Sequence, residues 1–347
     1  MRPSRRAYLD WLRGIAVVCM IEWHVLDAWT VTAGRDRPIW IVLQVIGGMA
    51  APLFLFLAGL AVPFAIDSHR RRGAEPRQAA WLVQRRGWQV FGLAHLFRFQ
   101  SFLINPNARW SSILKPDILN IMGLGLAGTS WLVGRAGAGA RRGIWWLLLP
   151  AAIVIALTPF ARLWWWPTLL YPRFEAYIRP VGNYGVFTLF PWVALVPVGA
   201  FVGLLLAGER DDAAEVRLHR RLAMTGAALA ALGFALGAIG NPAIAFWTSR
   251  WSVFLAQVGL MTVAIWAAWA WMPTRAATLL GASPLVLFGR TSLFVYWIHV
   301  ELAYGMLSYP LHKALPLPWA MVGLVAMFGL MYLAARWWSG RQLTTNN

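Results

Sequence analysis

Apolar stretches of roughly 18–25 residues recur along the whole chain, each long enough to cross the hydrocarbon core of a bilayer. This recurrence constrains the fold more than any single motif. In lipid, the backbone must satisfy its own N–H and C=O groups, and a helix does so within one segment. Alternating strand patterns with turn signals are absent, which disfavours a membrane barrel. The expectation is an all-α, polytopic integral membrane protein. Charged residues make up 13% of the chain, against about 25% in a soluble domain.

Ten spans are expected, at 8–32, 39–66, 86–104, 117–134, 143–160, 185–207, 220–240, 250–272, 283–309 and 317–338. With both termini in the cytoplasm, nineteen Lys and Arg fall inside and nine outside, while Arg13, Arg98 and Arg290 lie in or near spans. Positive residues concentrate on the cytoplasmic side of membrane proteins, so the bias supports this topology. It also accounts for the net charge of +18 without nucleic acid. No stretch outside the spans is long enough to bury its own core, so one transmembrane domain over 1–347, with its core at 8–338, is the simplest organisation. The first span has a basic start but carries Glu22, His24 and Asp27, so it reads as a retained span rather than a cleaved leader. A Gly/Ala-rich hinge is expected at 134–143, and an outer lid or re-entrant piece at 161–184. The single cysteine, Cys19, permits no disulfide within one chain.

The first span concentrates ionisable groups. Tyr8 to Asp27 carries Asp10, Arg13, Glu22, His24 and Asp27. Each such group at the bilayer centre costs about 3 kcal/mol on insertion scales, so it must face protein, a partner or a water-filled cavity. Arg13 and His24 are eleven residues apart, three helical turns, and so share a face. His24 lies about 20 Å along the axis from Trp11 at about 1.5 Å per residue, past the midplane toward the outside. Asp27 follows at i+3, within reach to orient the imidazole as carboxylates do for histidine bases. The competing account is a histidine that serves packing alone.

Leu9-Asp10-Trp11-Leu12-Arg13-Gly14-Ile15-Ala16, followed by His24, resembles the opening of membrane acyltransferases with an arginine, ten residues and a histidine in the first span. It is similar to acyltransferase family three and to the heparan-alpha-glucosaminide N-acetyltransferase-like family. Three further stretches resemble the second group: Pro52 to Gly59, Lys115 to Gly125, and Phe190-Pro191-Trp192 with Gly199 and Gly203. Gly289 to His299 also fits it. The order of the motifs carries the likeness, which runs from about residue 8 to about residue 300. The resemblance implies acyl transfer, typically acetyl, from cytoplasmic acyl-CoA to an extracytoplasmic sugar hydroxyl or amine. The acyl-CoA is a co-substrate, and no resident cofactor is implied.

The basic cytoplasmic rim suits that chemistry, because arginine forks bind phosphate bidentately. Arg85 and Arg86 are the best candidates for coenzyme A phosphates, with Arg13 nearer the core. Positive-inside topology alone also places arginines there. His299 and Glu301 form a second intramembrane cluster at a depth like that of His24, and with Glu22 they are candidates to line a polar cavity. His95 and Arg98 form a weaker one, and Asp117 with Asn120 reads as an N-cap pair or a substrate contact. His69, His219 and His312 read as loop or span-end residues. No set of side chains has the spacing of a metal site. Two other functions compete with the enzyme: a proton-coupled transporter with an intramembrane His/Glu/Asp relay, and a packing or lipid-binding protein. No related halves favour the transporter, and five ionisable groups in one span disfavour mere packing.

Overall fold

The computed structural model describes residues 7–105, 109–136, 145–182, 186–208, 211–238, 251–272 and 283–345. The hinge expected at 134–143 lies mostly outside them. The described residues form helices with no strand, apart from one isolated bridge between Thr30 and Leu315. In chain order the helices are α1 (Ala7–Trp29), α2 (Pro38–Gly48), α3 (Ala50–Arg71), α4 (Pro76–Ile104), α5 (Ile118–Ala136), α6 (Leu148–Leu163) and α7 (Pro172–Ile178). They continue with α8 (Leu195–Gly208), α9 (Asp212–Ala238), α10 (Trp251–Trp271), α11 (Pro284–Arg290), α12 (Ser292–Tyr304) and α13 (Leu317–Thr345).

Helix occupies part of each of the ten expected stretches. By length and composition, five runs are long and apolar enough to cross a membrane: Pro38–Arg71, Trp145–Leu163, Asp212–Ala238, Trp251–Trp271 and Leu317–Arg341. A sixth is added if α11 and α12, which meet at 91°, form one broken span. The exposed surfaces of these helices are apolar, with Ile39, Ile41, Leu157, Val325 and Leu333 among the residues facing outward. That inversion of a soluble protein's surface fits a lipid environment. The chain is an integral membrane protein.

Two compact units divide the chain. The first comprises Met1–Phe54, Leu103–Asn107 and Ala267–Asn347, and the second Leu55–Phe102 and Ala108–Trp266. In the first unit, α1 is the central element and packs against α2, α11, α12 and α13. Its approach to α11 is backbone to backbone. A Cβ on Gly14 would collide with the carbonyl of Leu285, and a Cβ on Gly289 with the carbonyl of Asp10. Only glycine fits at both positions. Asp10, 2% exposed, adds ion pairs to Arg13 and to Arg290 at the end of α11, each 3.5 Å.

In the second unit, α8 packs against α5, α6 and α9. Gly59 and Gly199 make an equivalent reciprocal approach, facing the carbonyls of Val196 and Phe56. The segment expected to form an outer lid holds a 3-10 turn at Trp166–Leu169 and the short helix α7. α9 begins eight residues before the expected start of its span. It thereby carries His219 into a fully buried position, where Nδ1 donates to the Glu215 carbonyl at 2.9 Å.

Candidate active site

The most polar helix of the first unit meets a second histidine inside it. His24 of α1 and His299 of α12 are joined Nδ1 to Nε2 at 2.8 Å, with ring centroids 5.1 Å apart. His299 is fully buried and His24 half-buried. The remaining nitrogen of His299, Nδ1, lies 2.7 Å from the Val295 carbonyl. A carbonyl only accepts, so in the neutral pair Nδ1 of His299 carries the hydrogen and its Nε2 accepts from His24 Nδ1–H. The chain of bonds therefore places the basic lone pair on Nε2 of His24. A histidine held in one tautomer by a partner at the other nitrogen is the arrangement found wherever imidazole acts as base or nucleophile. Tyr304 packs edge-on to His24 at 5.6 Å, and Tyr296 edge-on to His299 at 6.0 Å, so aromatic rings flank the pair.

The other expected residues of this unit have separate positions. Asp27 is engaged by cations and a phenol: Arg35 Nη1 donates to its Oδ1 at 3.1 Å, Tyr304 Oη to its Oδ2 at 3.0 Å, and Lys313 Nζ lies 3.3 Å from Oδ1. Lys313 also donates to the Asp27 carbonyl. This network ties the end of α1 to the segment before α13, alongside the Thr30–Leu315 bridge. The contact that orients His24 comes from His299 rather than from the carboxylate one turn away. Arg13 pairs with Asp10 across one turn. Glu22 is 6% exposed, lies against Gly47 of α2, and neither carboxyl oxygen has a hydrogen-bond partner among the described residues. Glu301 is half-buried, with its carboxylate beside Gly305.

The second unit holds its own buried polar cluster. Asp117 caps α5, with its Oδ1 accepting from Leu119 N at 2.9 Å and Asn120 N at 3.3 Å. Asn120 Oδ1 accepts in return from Asp117 N at 3.0 Å, a reciprocal cap. Asn120 Nδ2 then meets His95 Nε2 at 3.2 Å, and His95 Nδ1 lies 3.1 Å from the Ile113 carbonyl. Asp117 Oδ2 faces Arg98 Nε at 3.3 Å. Arg85 and Arg86 sit elsewhere on α4, exposed, with Arg85 over the Trp81 ring and Arg86 bonded to Gln89 at 3.3 Å.

Sequence reasoning pointed to the histidines and to the cap, but not to Arg35, Lys313 and Tyr304 around Asp27. Lys313 and Tyr304 are remote from it in sequence, and Arg35, eight residues on, carries no periodic signal. The reciprocal capping pair shows in the spacing, whereas a bond spanning 275 positions does not.

No curated protein matches the chain. The family profile described as "Heparan-alpha-glucosaminide N-acetyltransferase, catalytic" matches residues 5–247. That stretch includes Arg13, Glu22, His24, Asp27, Arg85, Arg86 and Asp117, while His299 and Glu301 lie beyond it. It spans well over half of the 347 residues, and the chain therefore belongs to the heparan-alpha-glucosaminide N-acetyltransferase catalytic family, a family of membrane acetyltransferases.

Proposed function

We propose that this protein transfers an acyl group, acetyl by family, from cytoplasmic acyl-CoA to a hydroxyl or amine of an extracytoplasmic glycan, with His24 as the reacting histidine. The hydrogen bond between His24 and His299 carries the reading. It supplies a base whose lone pair has a defined position within an otherwise apolar helix bundle. The topology that goes with it has ten spans, both termini in the cytoplasm and a bacterial inner membrane as the site. The whole chain then acts as one transmembrane acyltransferase domain.

Two routes use the same geometry. In the first, both substrates bind together. His24 Nε2 takes the proton of the acceptor O–H or N–H as that atom attacks the thioester carbonyl, and coenzyme A leaves as the thiolate and is then protonated. In the second, Nε2 itself attacks, the thiolate leaves, and the acyl group waits on imidazole until the acceptor displaces it, giving ping-pong kinetics. His299 positions His24 in both. Arg85 and Arg86, at the cytoplasmic rim of the proposed topology, and Arg13 above it are the residues proposed for the coenzyme A phosphates. Their fork geometry suits phosphate oxygens. Glu22, Glu301 and Asp117 remain cavity residues in this reading, and Asp27 holds the outer end of α1.

The experiment is acyl transfer by the purified chain in liposomes, with labelled acetyl-CoA supplied from one side and acceptor from the other. Wild type is expected to consume acetyl-CoA from the side bearing Arg85 and Arg86, and His24→Ala to lose that activity. Consumption unchanged in His24→Ala, or none by wild type with substrate flux instead, would sink the enzyme reading.

A further inference from the structure

The stretch that follows α6 turns its charges inward and its apolar side chains outward. Ile153, Leu157 and Phe160 recur at helical spacing on one exposed face of α6, within the membrane-length run Trp145–Leu163. That face does not stop where the helix does. Leu163 is 82% exposed, Trp165 72%, Leu169 75% and Phe174 50%, with Tyr171 exposed between the last two. Arg173 and Glu175 of the same stretch are only 6% and 7% exposed, and Arg162 is half-buried. Within 160–174, no charged side chain is exposed. Connections in water show the opposite pattern, with charges outside and large apolar groups inside. Named bonds hold the inversion in place. Arg179 donates from Nε to Glu175 Oε1 at 2.7 Å and from Nη1 to the Trp164 carbonyl at 2.7 Å. The end of α7 is thereby tied to the residue that follows α6. Arg173 Nη2 donates to Ser111 Oγ at 3.2 Å. Arg162, Glu175 and Arg179 also line a cavity of about 400 Å³ with Pro180 and Val181, so the polar side of the stretch faces into the unit. On the apolar side, Tyr171 meets Phe174 edge-on at 6.4 Å and stacks on Trp110 at 6.1 Å.

We propose that residues 160–174 form an interfacial surface seated in the lipid–water boundary at the end of α6, and that the partner of this surface is the bilayer itself. The exposed face continues, without a charged interruption, the lipid-facing side of a membrane-length helix, so the same solvent covers both. Its residues are Trp, Tyr, Phe and Leu, and aromatic rings of this kind concentrate at the headgroup level. An exposed apolar patch of this size marks a membrane or protein contact rather than a surface in water. An in-plane amphipathic element lies about 5–10 Å into the headgroup and acyl boundary, which places the buried charges of α7 on its protein side. The stretch is then a fixed platform on the membrane and not a lid that swings in water, and the cavity behind it is held at the membrane surface. The proposal does not depend on acyl transfer or on which side of the membrane α6 ends.

The test places single nitroxide labels on the full chain, in a Cys19→Ala background, in phosphatidylcholine nanodiscs. Leu163→Cys, Leu169→Cys and Phe174→Cys report on the surface. Leu157→Cys on α6 is the lipid reference, and Glu75→Cys, in the connection between α3 and α4, is the water reference. All five positions are exposed, so a label displaces no packed side chain. Electron paramagnetic resonance reads collisions with oxygen, which concentrates in lipid, and with a water-soluble nickel chelate. The oxygen-to-nickel ratio at the three surface positions is expected to exceed that at Glu75→Cys severalfold and to approach that at Leu157→Cys. A ratio at all three equal to that at Glu75→Cys overturns the proposal in favour of a lid in water. Exclusion of both reagents from the three positions also overturns it, and dipolar broadening between labels would then identify a second copy of the chain as the occupant.

Discussion

Replacing His299 tests whether the histidine pair works as a unit. A positioned general base contributes about 10²–10⁴-fold, which is roughly 3–5 kcal/mol at about 1.36 kcal/mol per tenfold. His24→Ala is expected to lose all of this. His299→Ala leaves the imidazole of His24 in place but removes the acceptor of its Nδ1–H at 2.8 Å. A net hydrogen bond is worth about 0.5–1.5 kcal/mol, so the bond alone accounts for up to about tenfold. Any further loss reports tautomers that put hydrogen on the wrong nitrogen. The fall is expected in kcat, with the KM for acetyl-CoA little changed, because His299 acts through His24 and not on the donor. His299→Gln, which can offer an acceptor oxygen, is expected to recover part of the loss. The double variant His24→Ala/His299→Ala should be no slower than His24→Ala, since residues that act as one unit are not additive. The assay is initial-rate acyl transfer in liposomes with expression and folding matched. A double variant slower than His24→Ala by the full His299 factor would refute the pairing, because His299 would then contribute independently.

Four further outcomes follow from the same geometry. Gly14→Ala and Gly289→Ala each drive a methyl into a backbone carbonyl and are expected to cost about 1–3 kcal/mol or more in unfolding free energy. Gly92→Ala, within α4 with open space around it, should gain about 0.5–1 kcal/mol, and equal effects at all three glycines would disprove the packing account. Asp27→Asn is expected to lower the unfolding midpoint, by about 1 kcal/mol for a partly exposed charge network, while changing kcat less than His299→Ala does; the reverse order would restore Asp27 as the residue that orients His24. Lys115→Gln is expected to raise the thermal midpoint, because a depressed lysine pKa means that the folded state resists the charge. By linkage, the unfolded chain then binds more protons between the two pKa values, so wild-type stability rises with pH through that window and this group adds no slope below it; a Lys115→Gln profile as steep as wild type would contradict this.

The residues explain what could be read in advance. Helix class and position follow from local apolar length, a property of the chain itself, so the helices fall where the apolar runs do. The Asp117 cap is equally local, as its partner is three residues away. Features made by contact could not be read this way. Nothing between 283 and 309 announces a 91° bend at Thr291. Just before it, Gly289 meets the carbonyl of Asp10, some 280 positions earlier in the chain. The break between α2 and α3 at Met49 lies within an unbroken apolar run. For Asp27, helical spacing pointed to His24 one turn away, but stronger partners arrived from outside the helix: Arg35 eight residues on, and Lys313 and Tyr304 from the other end of the chain. A cation outcompetes a neutral imidazole for a carboxylate, because a charge-assisted bond is roughly twice as strong as a neutral one. That left His24 to be oriented by a neutral group. A second histidine anchored to a helix carbonyl fills the role without adding charge to the bundle. A neutral relay is also the cheaper solution at bilayer depth, where each uncompensated charge costs several kcal/mol.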